Sequence, residues 1–543
     1  PDSLQNKAVF YNMYNNLAII YDFYGLPETS GLYEKSLSYY LSRMENDVIA
    51  NENYYITLNN LAVWHSEKGN KNLALAYYLE IIEDAKSPPI RADAYNNYGY
   101  YLQQVPAAQK LKYFQLAINI ILELDQSEQT AAIPSFEVIT DTYYVNEIRT
   151  YLTDMATHLV KAYHEEKELS YLLKAREVLA VVDQLISLLR YESNNEQSKL
   201  FWINRGVDTY LLAVEVSFLL NAPDEAFYYM EKNKGLLLQE NIKTIQAKQE
   251  TKVPSELLER EYNLHYELQT LDQQYSANPD DPEVIKRYNA INLAYVSFMD
   301  SLGVHFPDYV KLKADADINT LEVGKELLKK ENSCLLEYII GDEKGYGIFI
   351  EEEKAVLFEI ADVATLKKNI RLLKSYISKP ILGTKELSTV RKTSHDVFVT
   401  LLPFENASAL IGERTLYIAA DNYLLNFPFE TLLTDLAANL AESYLIRQID
   451  IAYTQSVSSL YQIGRRNDIP AGKILGIAPV TFNSDSLNDL NGSVGLMKSL
   501  ASYMQTDILM EEEATKNQFF TKANEYELIH INTHAGLDPH TLQ

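Results

Sequence analysis

The 543-residue sequence predicts a multidomain protein in which an all-α solenoid precedes an α/β domain with a mostly parallel sheet. The length exceeds what one hydrophobic core usually holds, so about two to four domains are expected. The N-terminal half repeats a helical pattern, and from Ser333 the pattern changes to short apolar runs. We therefore expect a repeat solenoid over residues 1–245, a helical spacer over 246–325 and the α/β domain over 326–543.

The composition is that of a globular protein with an acidic balance. With 48 Lys and Arg against 75 Asp and Glu, the net charge is −27, which argues against nucleic-acid binding because phosphate contacts need clustered cations. No apolar run reaches the length of about 18 residues that a membrane span needs. The single cysteine, Cys334, excludes an internal disulfide and fits a reducing compartment. Since no signal peptide is recognisable either, we expect a cytoplasmic protein. The chain begins with Pro1, so we also expect it to be an excerpt of a longer one.

Three segments of the N-terminal half resemble one another. They are YNNLAIIYDFYG from Tyr14, LNNLAVWHSEKG from Leu58 and YNNYGYYLQQV from Tyr95. Each is followed by a second amphipathic run, and a helix, turn and helix in repetition is the signature of a solenoid. The middle copy resembles the tetratricopeptide pattern, with small residues at Ala62 and Ala74 where two helices must approach closely. We expect its Tyr78, like the other tyrosines at helical spacing in these repeats, to fill the repeat core rather than to stack on bases.

The helical periodicity continues to about Asn241, and a polar segment follows. Residues 246–302 favour helix and are broken at SANPDDPE, which reads as a turn that caps the next helix. This pattern predicts two long antiparallel helices that act as a spacer.

From Ser333 short strands replace the helices. CLLEYIIG, GYGIFIEE and KAVLFEI predict an antiparallel start. TLYIAA, KILGIAP and ELIHINTH then alternate with helical segments, which is typical of a parallel sheet covered on both faces. His534 follows the last of these runs. Groups that bind or react in such sheets lie just beyond the carboxyl ends of the strands, so the His534 side chain is expected to face a crevice.

Other candidate groups have simpler interpretations. Cys334 begins an apolar strand, where a cysteine is usually a small core residue. His530 alternates with the apolar residues of its strand and is expected to pack against a helix. HEEKE, from His164, lacks the second histidine of a zinc helix, and GDEKGYG reads as a hairpin rather than a phosphate loop. We therefore expect neither a metal nor a cofactor.

RTLYIAADNYLLNFPFETLL, from Arg414 to Leu433, resembles the hallmark segment of CHAT domains, the caspase-like peptidases associated with tetratricopeptide repeats. AESYLIRQIDIAYTQSVSSL, KILGIAPV and ELIHINTHAG resemble later pieces of that family in the same order. AFYYMEKNKGLLLQENI and FPDYVKLK resemble the junctions between its repeats and its peptidase. The hallmark residues in this chain are Leu425, Pro428, Phe429, Glu430 and Leu432.

The resemblance implies a cysteine endopeptidase with a Cys-His dyad on a caspase-like fold. His534 would be the histidine, and the backbone N–H of Gly536 would help to bind an oxyanion. The family's cysteine would follow the next strand, beyond Gln543, so residues 1–543 alone would be inactive. The resemblance further implies that the repeats bind a protein partner and gate cleavage of a protein substrate in bacterial defence or regulated cell death. The alternative is an interaction scaffold with a degenerate peptidase domain.

Overall fold

The computed structural model of the protein contains two compact units, Pro1–Leu460 and Tyr461–Gln543. None of the described helices is long and apolar enough to cross a membrane. The structure describes residues 2–102, 105–124, 133–191, 196–234, 247–248, 251–277, 281–314, 318–377, 383–436, 442–464, 473–482, 489–503, 505–526 and 528–534.

The N-terminal region of the first unit is helical. Consecutive helices pack against one another along the chain, as amphipathic segments joined by short loops do. The helices are α1 (Asp2–Phe23), α2 (Thr29–Leu41), α3 (Val48–Glu67), α4 (Lys71–Asp84), α5 (Pro88–Tyr101), α6 (Ala107–Ile121), α7 (Phe136–Thr140), α8 (Val145–Glu166), α9 (Leu169–Tyr191), α10 (Glu196–Leu219), α11 (Pro223–Lys232), α12 (Ser255–Ala277), α13 (Pro282–His305) and α14 (Pro307–Ala314).

The three similar segments of the sequence lie in α1, α3 and α5, and their asparagines connect these helices. In the second and third copies, the second asparagine of the pair donates to the first asparagine of the preceding copy, so the copies occupy equivalent places. Partly buried amides need such partners. The hydrogen bonds, donor first, are Asn60 Nδ2 to Asn15 Oδ1 (3.1 Å), Asn97 Nδ2 to Asn59 Oδ1 (3.3 Å) and, toward α8, Asn96 Nδ2 to Asp154 Oδ2 (2.7 Å).

The middle copy packs as its residue sizes predict. Ala62, Ala74 and Tyr78 are almost fully buried and belong to one apolar cluster, which confirms that the small residues let α3 and α4 approach. Asp47 caps α3 by accepting hydrogen bonds from two backbone N–H groups of its first turn. Gly69 ends the turn after α3 with a φ of +79°, a conformation that favours glycine.

The spacer contains the two long helices that the sequence predicts, α12 and α13. Arg287 lies 3.5 Å from Glu267, and the Arg260 guanidinium lies over the Phe298 ring. Because the pairing positions rise on one helix as they fall on the other, the helices are antiparallel. Asp281 caps α13, as its place in the predicted turn suggests. The predicted boundary at residue 245 and the predicted solenoid end at Asn241 lie outside the described residues.

A mixed five-stranded sheet follows the helical region in the first unit. Its order is β3-β2-β1-β4-β5. The β1–β2 and β2–β3 pairs are antiparallel, which confirms the predicted antiparallel start, and the β1–β4 and β4–β5 pairs are parallel. The strands are β1 (Ser333–Ile340), β2 (Gly345–Ile350), β3 (Ala355–Glu359), β4 (Thr415–Ala419) and β5 (Ile451–Tyr453), and the accompanying helices are α15 (Leu321–Lys330), α16 (Val363–Ile377), α17 (Thr384–Leu401), α18 (Ala407–Ile411) and α19 (Val457–Gly464).

Strand β1 is buried along its whole length because both faces of the sheet are covered. Leu335 and Ile339 point into a core shared with α8, α9, α10 and α11 of the helical region. Leu336 and Tyr338 point the other way, into a core with α16 and α17. This double burial accounts for the continuous apolar run of the strand.

The second unit contains a three-stranded parallel sheet. Its strands are β6 (Ile474–Ala478), β7 (Thr506–Met510) and β8 (Leu528–Ile531), in the order β7-β6-β8, with α20 (Gly492–Tyr503) and α21 (Lys516–Lys522) in the connections. Met497 of α20 packs against the sheet beside Ala478. Strands alternating with helices give this parallel pairing of KILGIAP with ELIHINTH. The sequence predicts TLYIAA in the same mostly parallel sheet, but TLYIAA forms β4 of the mixed five-stranded sheet, so a single mostly parallel sheet is not confirmed.

Candidate active site

His534 lies just beyond the carboxyl end of β8. The backbone N–H of Asn532 donates to the Ile477 carbonyl at 2.8 Å, which extends the pairing with β6 past the end of the strand. His534 follows two residues later, and its side chain is half-buried. The imidazole meets the Phe482 ring edge-to-face, with ring centroids 4.7 Å apart. The structure therefore puts this histidine at the edge of a parallel sheet where the sequence predicts it.

The segment after β6 brings Phe482 to His534. Val480 has a φ of +63° and is buried, a strained conformation for a β-branched residue that the surrounding structure must impose. Its carbonyl accepts from the Leu490 N–H at 2.8 Å, and the Phe482 N–H donates to Asp489 at 3.1 Å. The roles of Val480 and Phe482 are not visible in the sequence, because nothing in KILGIAPV indicates a left-handed valine.

Asn532 holds the chain that leads to His534. Its Oδ1 accepts a hydrogen bond of 3.2 Å from the Ser493 hydroxyl, in the first turn of α20. Together with the backbone bond to Ile477, this contact fixes the strand end from two directions. Gly536, which the sequence predicts as an oxyanion donor, lies outside the described residues.

Cys334 is unsuited to nucleophilic chemistry. It is fully buried at the start of β1. Burial, with a smaller contribution from Glu351 and against the opposing effect of Arg414, raises the pKa of the thiol to about 12. A thiol in this environment stays protonated at neutral pH, and the thiolate is the reactive form. The sequence-based interpretation of Cys334 as a core residue is confirmed by its burial.

The segment NFPFETLL is anchored by its apolar residues. Phe429 and Leu432 are fully buried in the core beneath the five-stranded sheet. Leu425 remains exposed, and Glu430 accepts a hydrogen bond of 2.7 Å from the Tyr453 hydroxyl. That hydroxyl also accepts from the Phe429 N–H at 3.0 Å, so Tyr453 ties β5 to this segment.

A groove of about 550 Å³ opens beside this segment, next to the carboxyl ends of β4 and β5. Its walls are mainly apolar, and Lys374 and Glu430 bring one charge of each sign. Such a lining suits a side chain of an extended peptide, which offers both apolar and polar atoms. The lining residues are Lys374, Ile377, Leu425, Asn426, Phe427, Pro428, Glu430 and Tyr453.

Residues 394–543 match the family model of the CHAT domain. The chain contains a CHAT domain. The matched range includes the hallmark segment, β6 to β8 and His534, and CHAT domains form a family associated with caspase-like peptidases. No curated protein matches the chain.

Helix α11 of the helical region reaches into the CHAT domain through a fully buried carboxylate, that of Glu231. Its two oxygens accept from the backbone N–H groups of Val457 and Ser458, at 2.7 and 2.9 Å. These N–H groups belong to the first turn of α19, which has no intrahelical partners for them and carries positive partial charge. Glu231 therefore caps a CHAT-domain helix from outside that domain.

Lys234 makes a second link between the helical region and the CHAT domain. Its Nζ donates to the Ala419 carbonyl of β4 at 2.6 Å and lies 3.6 Å from Glu337 Oε1. Glu337, in the middle of β1, is fully buried, and among the described residues neither of its oxygens has a hydrogen-bond partner. Burial, only partly offset by Lys234, raises the pKa of Glu337 to about 8. The roles of these residues are not predicted from the sequence, although one acidic residue inside CLLEYIIG interrupts an otherwise apolar run.

Proposed function

We propose that this chain is part of a caspase-like cysteine endopeptidase in which helical repeats regulate a CHAT peptidase. The observation that carries the proposal is the position of His534. The side chain is half-buried at the carboxyl edge of parallel strands, within the residues that match the CHAT family. Catalytic groups in parallel α/β sheets gather at this edge.

In the proposed reaction, the His534 imidazole accepts the proton of a cysteine thiol. The thiolate attacks the scissile carbonyl, and the amine leaves with a proton from the imidazolium to give an acyl-enzyme. Water then hydrolyses the thioester, and backbone donors, Gly536 among them, stabilise the oxyanion in both steps. The proposed thiol is not that of Cys334, because Cys334 is buried and protonated.

Regulation would pass through α11. We propose that the repeats bind a protein partner and that the contacts of Glu231 and Lys234 transmit this event to α19 and β4. The resemblance of the repeats and the CHAT segment to regulated peptidases supports a cytoplasmic role in bacterial defence or regulated cell death. The substrate would be another protein.

The burial of Cys334, the chain's single cysteine, favours a second candidate function, an interaction scaffold. In that case the repeats would bind a partner while the CHAT domain serves only as a folded support. The two candidates differ in one property, the presence of a reactive thiol.

The distinguishing experiment uses the longest natural gene product that contains these residues. It is incubated with a peptide library and, separately, with a thiol-directed electrophilic probe. We expect cleavage of selected peptides and stoichiometric labelling at a cysteine other than Cys334. If the probe labels no cysteine and residues 1–245 retain a partner protein, the scaffold function is favoured over the peptidase.

A further inference from the structure

The His534 imidazole needs a defined orientation to act in the proposed reaction. It accepts a proton from the thiol and then delivers it to the leaving amine, so a ring nitrogen has to face both atoms in turn. The second side-chain torsion of histidine joins an sp³ carbon to an sp² carbon, and such torsions are broad. A contact with the ring itself narrows this range, and the structure shows one.

Phe482 packs against the imidazole from the segment that follows β6. The ring centroids are 4.7 Å apart, and the ring planes meet at 61°. This geometry is that of an edge-to-face pair, in which the positive edge of one ring meets the negative face of the other. Such a pair favours one relative orientation of its rings beyond the effect of area burial. The Phe482 side chain therefore restricts the plane of the imidazole.

The backbone of Val480 brings the Phe482 ring to this place. Its φ of +63° is exceptional for a β-branched residue, and it turns the chain away from the extended path of β6. The valine side chain is buried in a cluster with Ala478 and Met497, which holds the strained conformation. Backbone strain of this kind is concentrated at functional sites. Here the turn directs the following residues toward the end of β8.

Hydrogen bonds anchor both members of the ring pair. The Phe482 N–H donates to Asp489 Oδ1 at 3.1 Å. Two residues before His534, the Asn532 N–H donates to the Ile477 carbonyl of β6 at 2.8 Å. The two segments leave the neighbouring strands β6 and β8, so the ring contact is supported from each side by the same sheet.

We propose that Phe482 is a positioning residue for His534, and that its ring holds the imidazole in the orientation that proton transfer requires. The inference rests on the proposed peptidase function, and it adds a residue outside the Cys-His dyad. Phe482 acts through the orientation of the imidazole and not through binding of the substrate. Its loss should therefore lower kcat and leave KM unchanged.

The first measurement is peptide cleavage by variants of the longest natural gene product that contains these residues. Phe482→Ala and Phe482→Leu both remove the aromatic ring, and the leucine keeps an apolar side chain in case the alanine variant misfolds. We expect kcat to fall about tenfold or more in both, because a small displacement of a reacting group can cost that much. Phe482→Tyr keeps the ring and should retain most of kcat. The matched control is Phe520→Ala on α21, where the native side chain is 62% exposed; it should leave both constants unchanged.

The second measurement is an NMR spectrum of the same variants with isotope-labelled histidine Cε1 atoms, which reads the ring contact without cleavage. The His534 signal is the one that disappears in His534→Ala. An aromatic ring shifts the resonance of nuclei packed against it, so this signal should move in Phe482→Leu and stay in place in Phe520→Ala.

An unmoved His534 signal in Phe482→Leu, or a rise in KM at constant kcat, would overturn the proposal. A signal that moves in a gene product that cleaves no peptide would support the ring contact and contradict the peptidase proposal instead. The two failures are therefore distinguishable.

Discussion

The carboxyl group of Glu337 makes the stability of the first unit depend on pH. The charged groups that face it are Lys234, which favours its ionised form, and Glu231 and Asp421, which oppose it. Burial outweighs the attraction of the ammonium and raises the pKa of Glu337 to about 8, against about 4.3 in an unfolded chain. The folded state therefore binds a proton that the unfolded state has released between these two values.

Stability from the protonated Glu337 is complete below the unfolded pKa and is lost as the pH rises through about 8. Glu337→Gln keeps the shape of the side chain and removes its titration. The stability of the variant relative to the native chain should therefore rise from pH 5 to pH 9, by about 2–4 kcal/mol in total. Urea unfolding at several pH values measures this difference. The exposed Glu405→Gln should show none of it, and a pH-independent difference for Glu337→Gln would contradict the assigned titration.

At the candidate active site, the sequence predicted that His534 follows a strand but not what holds it. A histidine after an apolar run indicates a strand end, because that pattern is local. Phe482 and Ser493, by contrast, reach the neighbourhood of His534 through the pairing of β6 with β8 and the packing of α20. These contacts span about 40 to 50 residues of sequence, so no local pattern encodes them.

Strand β2 can pack closely against β3 because residue 347 is a glycine and has no side chain. A Cβ atom added at Gly347 would lie 2.3 Å from the tip of the Phe358 ring on β3. That ring is itself packed edge-on against Tyr338 and Phe404. The ring therefore has little room to move, and the glycine is required by contact rather than by backbone conformation.

Gly347→Ala should lower the free energy of unfolding by about 1–3 kcal/mol through overpacking. Thermal or urea denaturation measures the loss. The matched control is Gly303→Ala in α13, where the nearest atom to an added Cβ lies 4.0 Å away; helix propensity predicts a gain of about 0.5–1 kcal/mol there. Equal stability of Gly347→Ala and the native chain would show that β3 adapts freely.

The elements themselves were largely predictable, and the reason differs between helices and strands. The Asn-Asn pairs predicted helices in equivalent positions of a repeat. In the structure these helices are connected by the hydrogen bonds from Asn60 to Asn15 and from Asn97 to Asn59. The run CLLEYIIG predicted a strand buried on both faces. It did not reveal that the cover on one face is the helical region more than 100 residues earlier.

On the scale of the whole molecule, the first unit joins helices and sheet into one compact body. Its core runs without interruption from α5 and α6 to β1 and β2. Glu231 and Lys234 add polar links between α11 and the CHAT domain within this body. We therefore expect the helices and the sheet of the unit to unfold together.

Glu231→Ala removes the cap of α19 and leaves two buried N–H groups without partners, which should destabilise the unit by about 2–4 kcal/mol. Labelling of Cys334 in urea reports opening of the sheet, and circular dichroism reports the helices. In the native chain both transitions should coincide, whereas in the variant Cys334 should become reactive at lower urea. Glu225→Ala in the same helix is the control, since its partner Arg176 is half-exposed and such pairs contribute little. A Glu231 variant no less stable than this control would contradict the proposed link.

The most direct test of the central claim compares two histidines four residues apart, in the longest natural gene product that contains them. The rate of peptide cleavage is measured for His534→Ala, beyond the end of β8, and for His530→Ala, inside that strand. Loss of the dyad base should reduce the rate at least about a thousandfold, while His530→Ala retains most of it and both variants keep the native circular dichroism. Cleavage that persists in His534→Ala would contradict the catalytic assignment.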